Sequence, residues 1–349
     1  MSSGNQSLVG RISLLKRRPV PNTMRGVRAP RFIVRTVQQS AGTALLALAL
    51  GFCPSPQSLF SQTAEQMAER AARKIDAGDL QEARSVLVFA LKQYPRSAAL
   101  HKLLATLEFK EEHFDLMRSE LLRAVELDPD DGETRLNLAM LELSLRHYAP
   151  AIPHLKKYAG LRPGDAQGHL LLGRAYLNTN QTFEAEREIR KALALDPRLP
   201  MAHHDLGYAE MTLGRNDAAL EEFQKEIEAN PSSQDAYLRA GVIELERDHL
   251  PEAEGMLRRA VALDSGNALA HFELGRSLLK ARKFEAAQDE LHQALRLNPK
   301  LIRAHYGLAQ ALGAVGKTAE AQRELQLYAQ LLARNRSLGS GASASNDSR

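Results

Sequence analysis

The chain has little cysteine and few aromatic residues, and it lacks tryptophan and any catalytic motif. Of its 349 residues, Cys53 is the only cysteine, none is tryptophan, and aromatic residues make up 5%. A single cysteine excludes a disulfide within the chain. We find no metalloprotease histidine pair, no nucleophile elbow and no dinucleotide-binding fingerprint. The sequence therefore predicts that the protein is not an enzyme and needs no cofactor.

Acidic residues are missing from the first part of the chain. Residues 1–64 contain no Asp or Glu and eight of the 46 basic residues, so residues 65–349 carry 38 basic against 42 acidic side chains. The basic pI of the whole chain thus comes from its first segment. The remainder has no general electrostatic reason to bind nucleic acid, which we exclude as a partner.

Residues 1–61 have the pattern of a targeting leader. Basic residues precede an uncharged apolar run at 41–53 (AGTALLALALGFC), which matches the hydrophobic segment of a secretory signal peptide. Thirteen residues are too short to span a bilayer core alone. We expect an extracytoplasmic protein, periplasmic or secreted; a mitochondrial presequence is the alternative. The basic portion is unusually long for a signal peptide. We therefore hypothesise that translation starts at Met24 instead of Met1, which would give a shorter leader.

Cys53 ends the apolar run, where acylation would anchor a lipoprotein to a membrane. A lipobox needs a small residue before the cysteine, and Phe52 stands there. We therefore expect Cys53 to be removed with the leader. Contact with a membrane is expected only through the leader or through a lipid on Cys53.

A proline recurs every 34 residues over most of the remaining chain, and Ser265 replaces it once. The series is Pro95, Pro129, Pro163, Pro197, Pro231 and Pro299. Such a period is typical of a repeat solenoid, whose units must stack to bury their apolar faces. Eight repeats fill residues 64–335 and are numbered 1–8 here; they start at Ala64, Ala98, Gly132, Ala166, Pro200, Gln234, Ala268 and Ile302.

Three positions within the repeat are nearly constant in size. Position 8 is always Ala or Gly, position 20 is Ala in every repeat except repeat 2, and position 24 is always a bulky apolar residue. Small residues let two helices approach closely while large ones fill the space beside them. A proline ends the second helix because it cannot continue one. Each repeat is therefore predicted to be a helical hairpin.

With this period and pattern the chain resembles the tetratricopeptide repeat family over about four fifths of its length. The resemblance implies an all-α fold, a right-handed superhelical solenoid of about eight antiparallel helix pairs, in which the first helices line a concave groove. Residues 336–349 are small and polar, and we expect them to form a disordered tail. The last helix has no obvious partner beyond it, so self-association through that end is a further expectation.

Two patterns suggest chemistry, and both have a simpler explanation. Position 4 is histidine in five repeats, but zinc needs ligands within about 2 Å of the ion, whereas packed helices lie about 8–10 Å apart. We expect these rings to pack between the helices of each hairpin instead, and predict no metal site. The segment 311–318 (ALGAVGKT) resembles a phosphate-binding loop, but Ala311 stands where that loop needs glycine. Gly316 is predicted to lie in a turn between helices.

The groove is the predicted functional surface, and by resemblance positions 2, 5, 9, 12 and 13 of each first helix form it. Methionine and aromatic side chains there would anchor a partner, and arginines would orient it. The groove residues that we expect to bind partners are Leu136, Met140, Leu170, Arg174, Leu177, Met201, His204, Tyr208, Met211, Leu238, Val242, Phe272 and Arg276. The carboxylate clamp of family co-chaperones is not predicted, since only Lys102 and Asn137 match its positions.

The sequence thus predicts an exported adaptor or scaffold that binds protein or peptide segments in its groove, during envelope assembly or secretion. One alternative is an accessory subunit of an envelope polysaccharide or pilus machine. Another is an intracellular or mitochondrial co-chaperone, of which the intracellular form would retain the leader and use the clamp.

Overall fold

The structure is a computed structural model that describes the backbone of residues 63–343 and the side chains of residues 63–335. The predicted leader, its apolar run and Cys53, and residues 344–349, lie outside the described residues. The chain divides after Thr179 into two compact units. We call them the N-terminal unit, described over 63–179, and the C-terminal unit, described over 180–343.

Helices account for all the regular structure of residues 63–343, which confirms the all-α prediction. Short turns separate them, and each first helix of a repeat is followed by a second helix. In the N-terminal unit the helices are α1 (Ala64–Asp76), α2 (Leu80–Gln93), α3 (Ala98–Lys110), α4 (Phe114–Leu127), α5 (Gly132–Ser144), α6 (Tyr148–Leu161) and α7 (Ala166–Asn178). In the C-terminal unit they are α8 (Thr182–Leu195), α9 (Ala202–Thr212), α10 (Asn216–Ala229), α11 (Gln234–Glu246), α12 (Leu250–Leu263), α13 (Ala268–Lys280), α14 (Phe284–Leu297), α15 (Ile302–Ala314) and α16 (Thr318–Ser343).

The turn between the two helices of a repeat is the same in all eight repeats. Its middle residue, position 15, has a positive φ every time. Glycine adopts this left-handed conformation without steric cost, and Gly316 does so with a φ of 82° between α15 and α16. The turn predicted at Gly316 is confirmed. The residues at position 15 are Gly78, Glu112, Arg146, Asn180, Gly214, Asp248, Arg282 and Gly316.

Small residues at position 8 set the distance between the helices of a pair. All eight position-8 residues are buried, and the position-24 side chains of repeats 1–7 are buried too. A Cβ added to Gly275 would lie 2.6 Å from Cγ of Leu291, and one added to Gly241 would lie 2.7 Å from Cγ of Leu257. Burying each such large side chain contributes roughly 1.5–3 kcal/mol. The size pattern read from the sequence is therefore the packing rule of the hairpin.

The histidines at position 4 tie three segments of their repeat together. In repeats 2, 5, 7 and 8 the ring Nδ1 lies 2.6 Å from a glutamate oxygen nineteen residues later, on the second helix. The ring Nε2 lies 3.2 Å from a backbone carbonyl six residues earlier, in the loop before the repeat. In repeat 7, His271 makes these contacts with Glu290 and with Ser265, the residue that replaces the proline. In these four repeats the rings thus lie between the helices of the hairpin, as predicted.

Positions 4 and 23 change together from repeat to repeat. Where position 4 is histidine, position 23 is glutamate, whereas repeat 1 has Met67 with Val86 and repeat 6 has Tyr237 with Met256. In repeat 3, Arg135 takes the histidine position, and its Nε donates to the carbonyl of Pro129 at 2.7 Å. A histidine at position 4 is therefore always matched by a carboxylate at position 23, which prevents its ring nitrogen from lying opposite an apolar side chain.

Buried glutamates at position 11 connect successive repeats. Glu108 on α3 is buried and accepts a hydrogen bond from Arg84 of α2 at 2.7 Å. In the same way, Glu142 on α5 accepts one from Arg118 of α4 at 2.6 Å. Removing one partner of a buried ion pair leaves an uncompensated charge and is strongly destabilising. These pairs hold the second helix of one repeat against the first helix of the next.

The last described helix differs from the other second helices. Leu325 occupies position 24, yet 43% of it is exposed, whereas the position-24 side chains of repeats 1–7 are buried. Helix α16 continues to Ser343, beyond residue 335, where we predicted the repeats to end and a disordered tail to begin. Among the described helices, none combines the length and apolar character that crossing a lipid bilayer requires.

The packing rule predicts opposite effects for two glycine-to-alanine changes. Gly275→Ala places a methyl group against Leu291 and should destabilise by about 1–3 kcal/mol, as overpacking does. Gly255→Ala, in the exposed interior of α12 with no atom near its added Cβ, should stabilise by up to about 1 kcal/mol. Urea unfolding followed by circular dichroism measures both. Equal shifts in the two variants would contradict the packing rule.

Candidate partner-binding surface

The first helices of each unit contribute the predicted groove residues. Neighbouring first helices contact one another, α1 with α3 in the N-terminal unit and α13 with both α11 and α15 in the C-terminal unit. In the C-terminal unit, α11, α13 and α15 can therefore present side chains to a shared ligand.

In the N-terminal unit, α5 and α7 carry the groove residues. Leu136, Met140, Arg174 and Leu177 are half-buried, whereas Leu170 is buried. Leu170 is therefore a packing residue and is not available to a ligand.

Lys102, one of the two residues that match the carboxylate clamp, is already paired within the chain. Its Nζ donates to the Asp131 carboxylate at 2.7 Å. Burial alone would raise the pKa of Asp131, but the hydrogen bonds from Lys102 and Thr134 hold it below its usual value. Because this carboxylate occupies the ammonium group, the structure gives no support for a clamp.

The C-terminal unit places the remaining groove residues on α9, α11 and α13. Tyr208 is exposed, and His204, Met211, Val242 and Arg276 are half-buried. Leu238 and Phe272 are buried, with 3% and 2% of their surfaces exposed, so both pack in the core and Phe272 is not the exposed anchor that we predicted. Met201, predicted on the first helix of repeat 5, precedes α9 instead, with a φ of 65°.

A polar network surrounds Tyr208 between α9 and α11. The Arg239 guanidinium lies over the Tyr208 ring, 4.8 Å from its centre, and its Nε donates to Asp235 at 2.6 Å. Asp235 also lies 2.6 Å from Nε2 of His204. A guanidinium over an aromatic ring attracts it electrostatically. Tyr208 is thus a solvent-facing aromatic group, packed on one side against a guanidinium, of the kind that anchors protein interfaces.

Sequence reasoning missed Arg239 because position 6 is not among the positions assigned to the groove. Its guanidinium reaches the groove by crossing from α11 to the Tyr208 ring. The sequence does indicate the contact between Arg239 and Asp235, because residues four apart on one helix with opposite charges favour an ion pair.

His204 is the most strongly perturbed group of this network. Burial alone would lower its pKa, but the carboxylates of Asp205 and Asp235, 3.2 and 2.6 Å from its ring nitrogens, raise the pKa to about 9. His204 and Arg239 in turn hold the pKa of Asp235 below its usual value, against the effect of burial. At neutral pH the network therefore contains a charged imidazolium between two carboxylates.

Only one group of side chains in the described part of the chain has the donors and spacing of a metal site. It consists of Glu108, Glu111 and His113, whose ligand atoms lie within 4.8 Å of one another. The Arg84 guanidinium donates to both carboxylates, at 2.7 and 2.5 Å. A bound cation would have to displace this arginine, so the cluster is better explained as an ion-pair network.

Comparison with protein families gives one consistent result. A model described as tetratricopeptide repeat matches residues 69–132, 136–200 and 204–268, and a second model of the same description matches residues 268–301. No curated protein matches the chain in sequence.

Several solved structures share the fold at low sequence identity. PilF of Pseudomonas aeruginosa is 17% identical, with a TM-score of 0.51, over 58% of this chain and 97% of that one. PilW, described as a type IV pilus biogenesis factor, is 20% identical with a TM-score of 0.50, over 57% and 92%. A chain of the APC/C Cut9–Hcn1 complex is 16% identical with a TM-score of 0.51, over 73% and 50%. At these identities the likeness shows the fold alone.

The raised pKa of His204 predicts that its stabilising effect is lost at alkaline pH. A histidine whose pKa rises on folding, here from 6.5 to about 9, stabilises fully below pH 6.5 and loses this effect as the pH rises through 9. His204→Gln should therefore destabilise by roughly 2–3 kcal/mol at pH 6 and far less at pH 10.

Thermal unfolding of the full chain at the two pH values measures this difference. His292→Gln, on α14 and without an ion pair in the described structure, is the control and should show no such pH dependence. An equal effect of His204→Gln at both pH values would contradict the role assigned to the two carboxylates.

Proposed function

Because this chain belongs to the tetratricopeptide repeat family and is a protein-interaction scaffold, we propose that it is exported and binds segments of partner proteins with the groove residues of its first helices. The observation that carries this proposal is Tyr208, an exposed aromatic side chain held by Arg239 on the face of α9. Affinity comes from Tyr208 and from the adaptable Met211 beside it on the helix. We propose no catalytic step.

The chemistry of this face favours peptide segments over other ligands. It combines an exposed aromatic ring with half-buried apolar side chains and with charges already paired to one another, as His204, Asp235 and Arg239 are. Interfaces of this composition bind through a few anchors surrounded by polar groups. The net charge of −4 over residues 65–349 disfavours nucleic acid.

An extracytoplasmic location is the second part of the proposal, and the sequence of residues 1–61 supports it. Envelope assembly or secretion follows as the setting in which an exported scaffold acts. An accessory role in a polysaccharide or pilus machine is the second candidate. Its support is the same leader together with the fold shared with PilW, described as a type IV pilus biogenesis factor.

Replacement of Tyr208 tests the binding surface. A photo-crosslinking amino acid at position 208 identifies the partner in the native cell, and the affinity of that partner is then measured for Tyr208→Ala. We expect about tenfold weaker binding, the effect of losing one interface anchor. Phe183→Ala is the control, because Phe183 is 67% exposed but lies on α8, a second helix.

The control should bind within about twofold of wild type, since isolated exposed apolar residues contribute little. If Tyr208→Ala binds the partner as tightly as wild type, or if Phe183→Ala weakens binding equally, the face of the first helices is not the binding surface.

Fusion of residues 1–62 to alkaline phosphatase tests export. In a bacterial host we expect extracytoplasmic enzyme activity from the fusion. The paired change Leu46→Arg and Leu48→Arg should abolish it, because two charges interrupt the apolar segment that the secretion machinery recognises. A fusion that stays inactive in the cytoplasm, or one imported by mitochondria in yeast, would contradict the proposed location.

A further inference from the structure

A cavity of about 310 Å³ opens in the C-terminal unit between α13, α15 and α16, apart from the Tyr208 network. It is lined by Phe272, Arg276, Leu279, Arg303, Tyr306, Gly307, Gln310 and Tyr328. We propose that this cavity binds a carboxylate of an acidic partner peptide. The proposal rests on the proposed function and names the chemistry of one segment that the scaffold recognises.

The cavity holds more positive than negative charge. The guanidinium groups of Arg276 and Arg303 both lie within 6 Å of the centre of the Phe272 ring, at 5.7 and 5.5 Å. Arg276 donates a hydrogen bond to Glu273, but in the described structure Arg303 forms no ion pair. The cavity lining thus contains two cations and no carboxylate, and Arg303 is exposed.

Glu273 does not neutralise this site fully. The carboxylate is buried, and burial raises its pKa above the usual value, while Arg276 and Arg303 act in the opposite direction and Glu246 of α11 adds to the rise. A carboxylate brought by a ligand would balance the charge of Arg303, which has no ion-pair partner in the described structure. Arginine binds carboxylates through two parallel hydrogen bonds, which adds geometric selectivity to the charge.

The rest of the lining fits a peptide. Tyr306 is 46% exposed, and its ring packs against that of Tyr328 with the ring centres 5.3 Å apart. Beside them, Leu279 provides an apolar wall and Gln310 an amide that can bond to a peptide backbone. The cavity thus receives a carboxylate at Arg303 and an apolar neighbour at the tyrosine pair. A nucleic acid phosphate is disfavoured by the net charge of −4 over residues 65–349.

The test uses an array of random peptides of uniform length, in amidated and free-carboxylate forms, probed with the full chain. We expect Asp and Glu to be enriched among bound peptides. The best acidic peptide should bind Arg303→Gln about tenfold more weakly, the loss of one charge-assisted contact. Arg296→Gln is the matched control, because Arg296 is exposed in the same unit but lies on α14, outside the cavity.

Each outcome decides the proposal. Enrichment of acidic side chains that is lost in Arg303→Gln and kept in Arg296→Gln supports a side-chain carboxylate as the ligand. Binding of free-carboxylate peptides alone, with the same dependence on Arg303, supports a chain terminus. No enrichment, or equal affinity of the two variants, overturns the cavity site. The affinity of the partner identified at Tyr208 is measured in a separate experiment. A negative result for the cavity would therefore leave the proposed function intact.

Discussion

The closeness of the two helices in each hairpin that lies within one unit is the constraint on which the rest of this structure depends. It requires a small residue at position 8, since at Gly275 even a methyl group would lie 2.6 Å from Leu291. It also requires a large apolar residue at position 24 to fill the space that the small one leaves. This single contact determines where each helix lies against its partner. The histidine and glutamate side chains at positions 4 and 23 can reach each other only because the distance between the two helices is fixed.

The polar contacts then give the hairpins their identity and order. A histidine–glutamate pair joins the two helices of a repeat and the loop before it, and a buried glutamate with its arginine joins one repeat to the next. Buried ionic groups are costly unless every partner is in place, so they penalise a wrong pairing more than they reward the right one. They occur in only some repeats, whereas the apolar contacts are nearly identical in every repeat, so the polar pairs distinguish one hairpin from another.

Much of the fold could be predicted from the sequence, because period and residue size depend on local contacts that repeat. The left-handed turn was visible at Gly78, Gly214 and Gly316, but other residues adopt the same φ elsewhere. The histidine pairs were predicted only in part. The rings were placed between helices, yet the glutamate nineteen residues later went unnoticed, although comparison of positions 4 and 23 along the chain reveals it.

The binding surface was less predictable, because a position within a repeat does not determine exposure. Phe272 and Tyr306 both occupy position 5, yet Phe272 is 2% exposed and Tyr306 46%. Phe272 lies beside two guanidinium groups and in the core of repeats 6–8, whereas Tyr306 packs against Tyr328 of the last described helix. Such differences arise from neighbouring repeats, which a rule written for one repeat does not include.

Positions 4 and 23 lie on the two helices of a hairpin and change together. The whole hairpin is therefore the smallest segment that can be exchanged between repeats without separating them. Moving only the first helix of repeat 7 into repeat 6 would place His271 opposite Met256, and the imidazole would lose its acceptor. Moving a whole hairpin keeps the two positions matched, since Glu290 stays beside His271 and Met256 stays beside Tyr237. Recombination within such a gene, or an engineered shuffling of its modules, therefore keeps the contacts within a repeat only when it exchanges whole hairpins, and at the boundaries between repeats 1, 2 and 3 it must also supply an arginine for Glu108 and for Glu142.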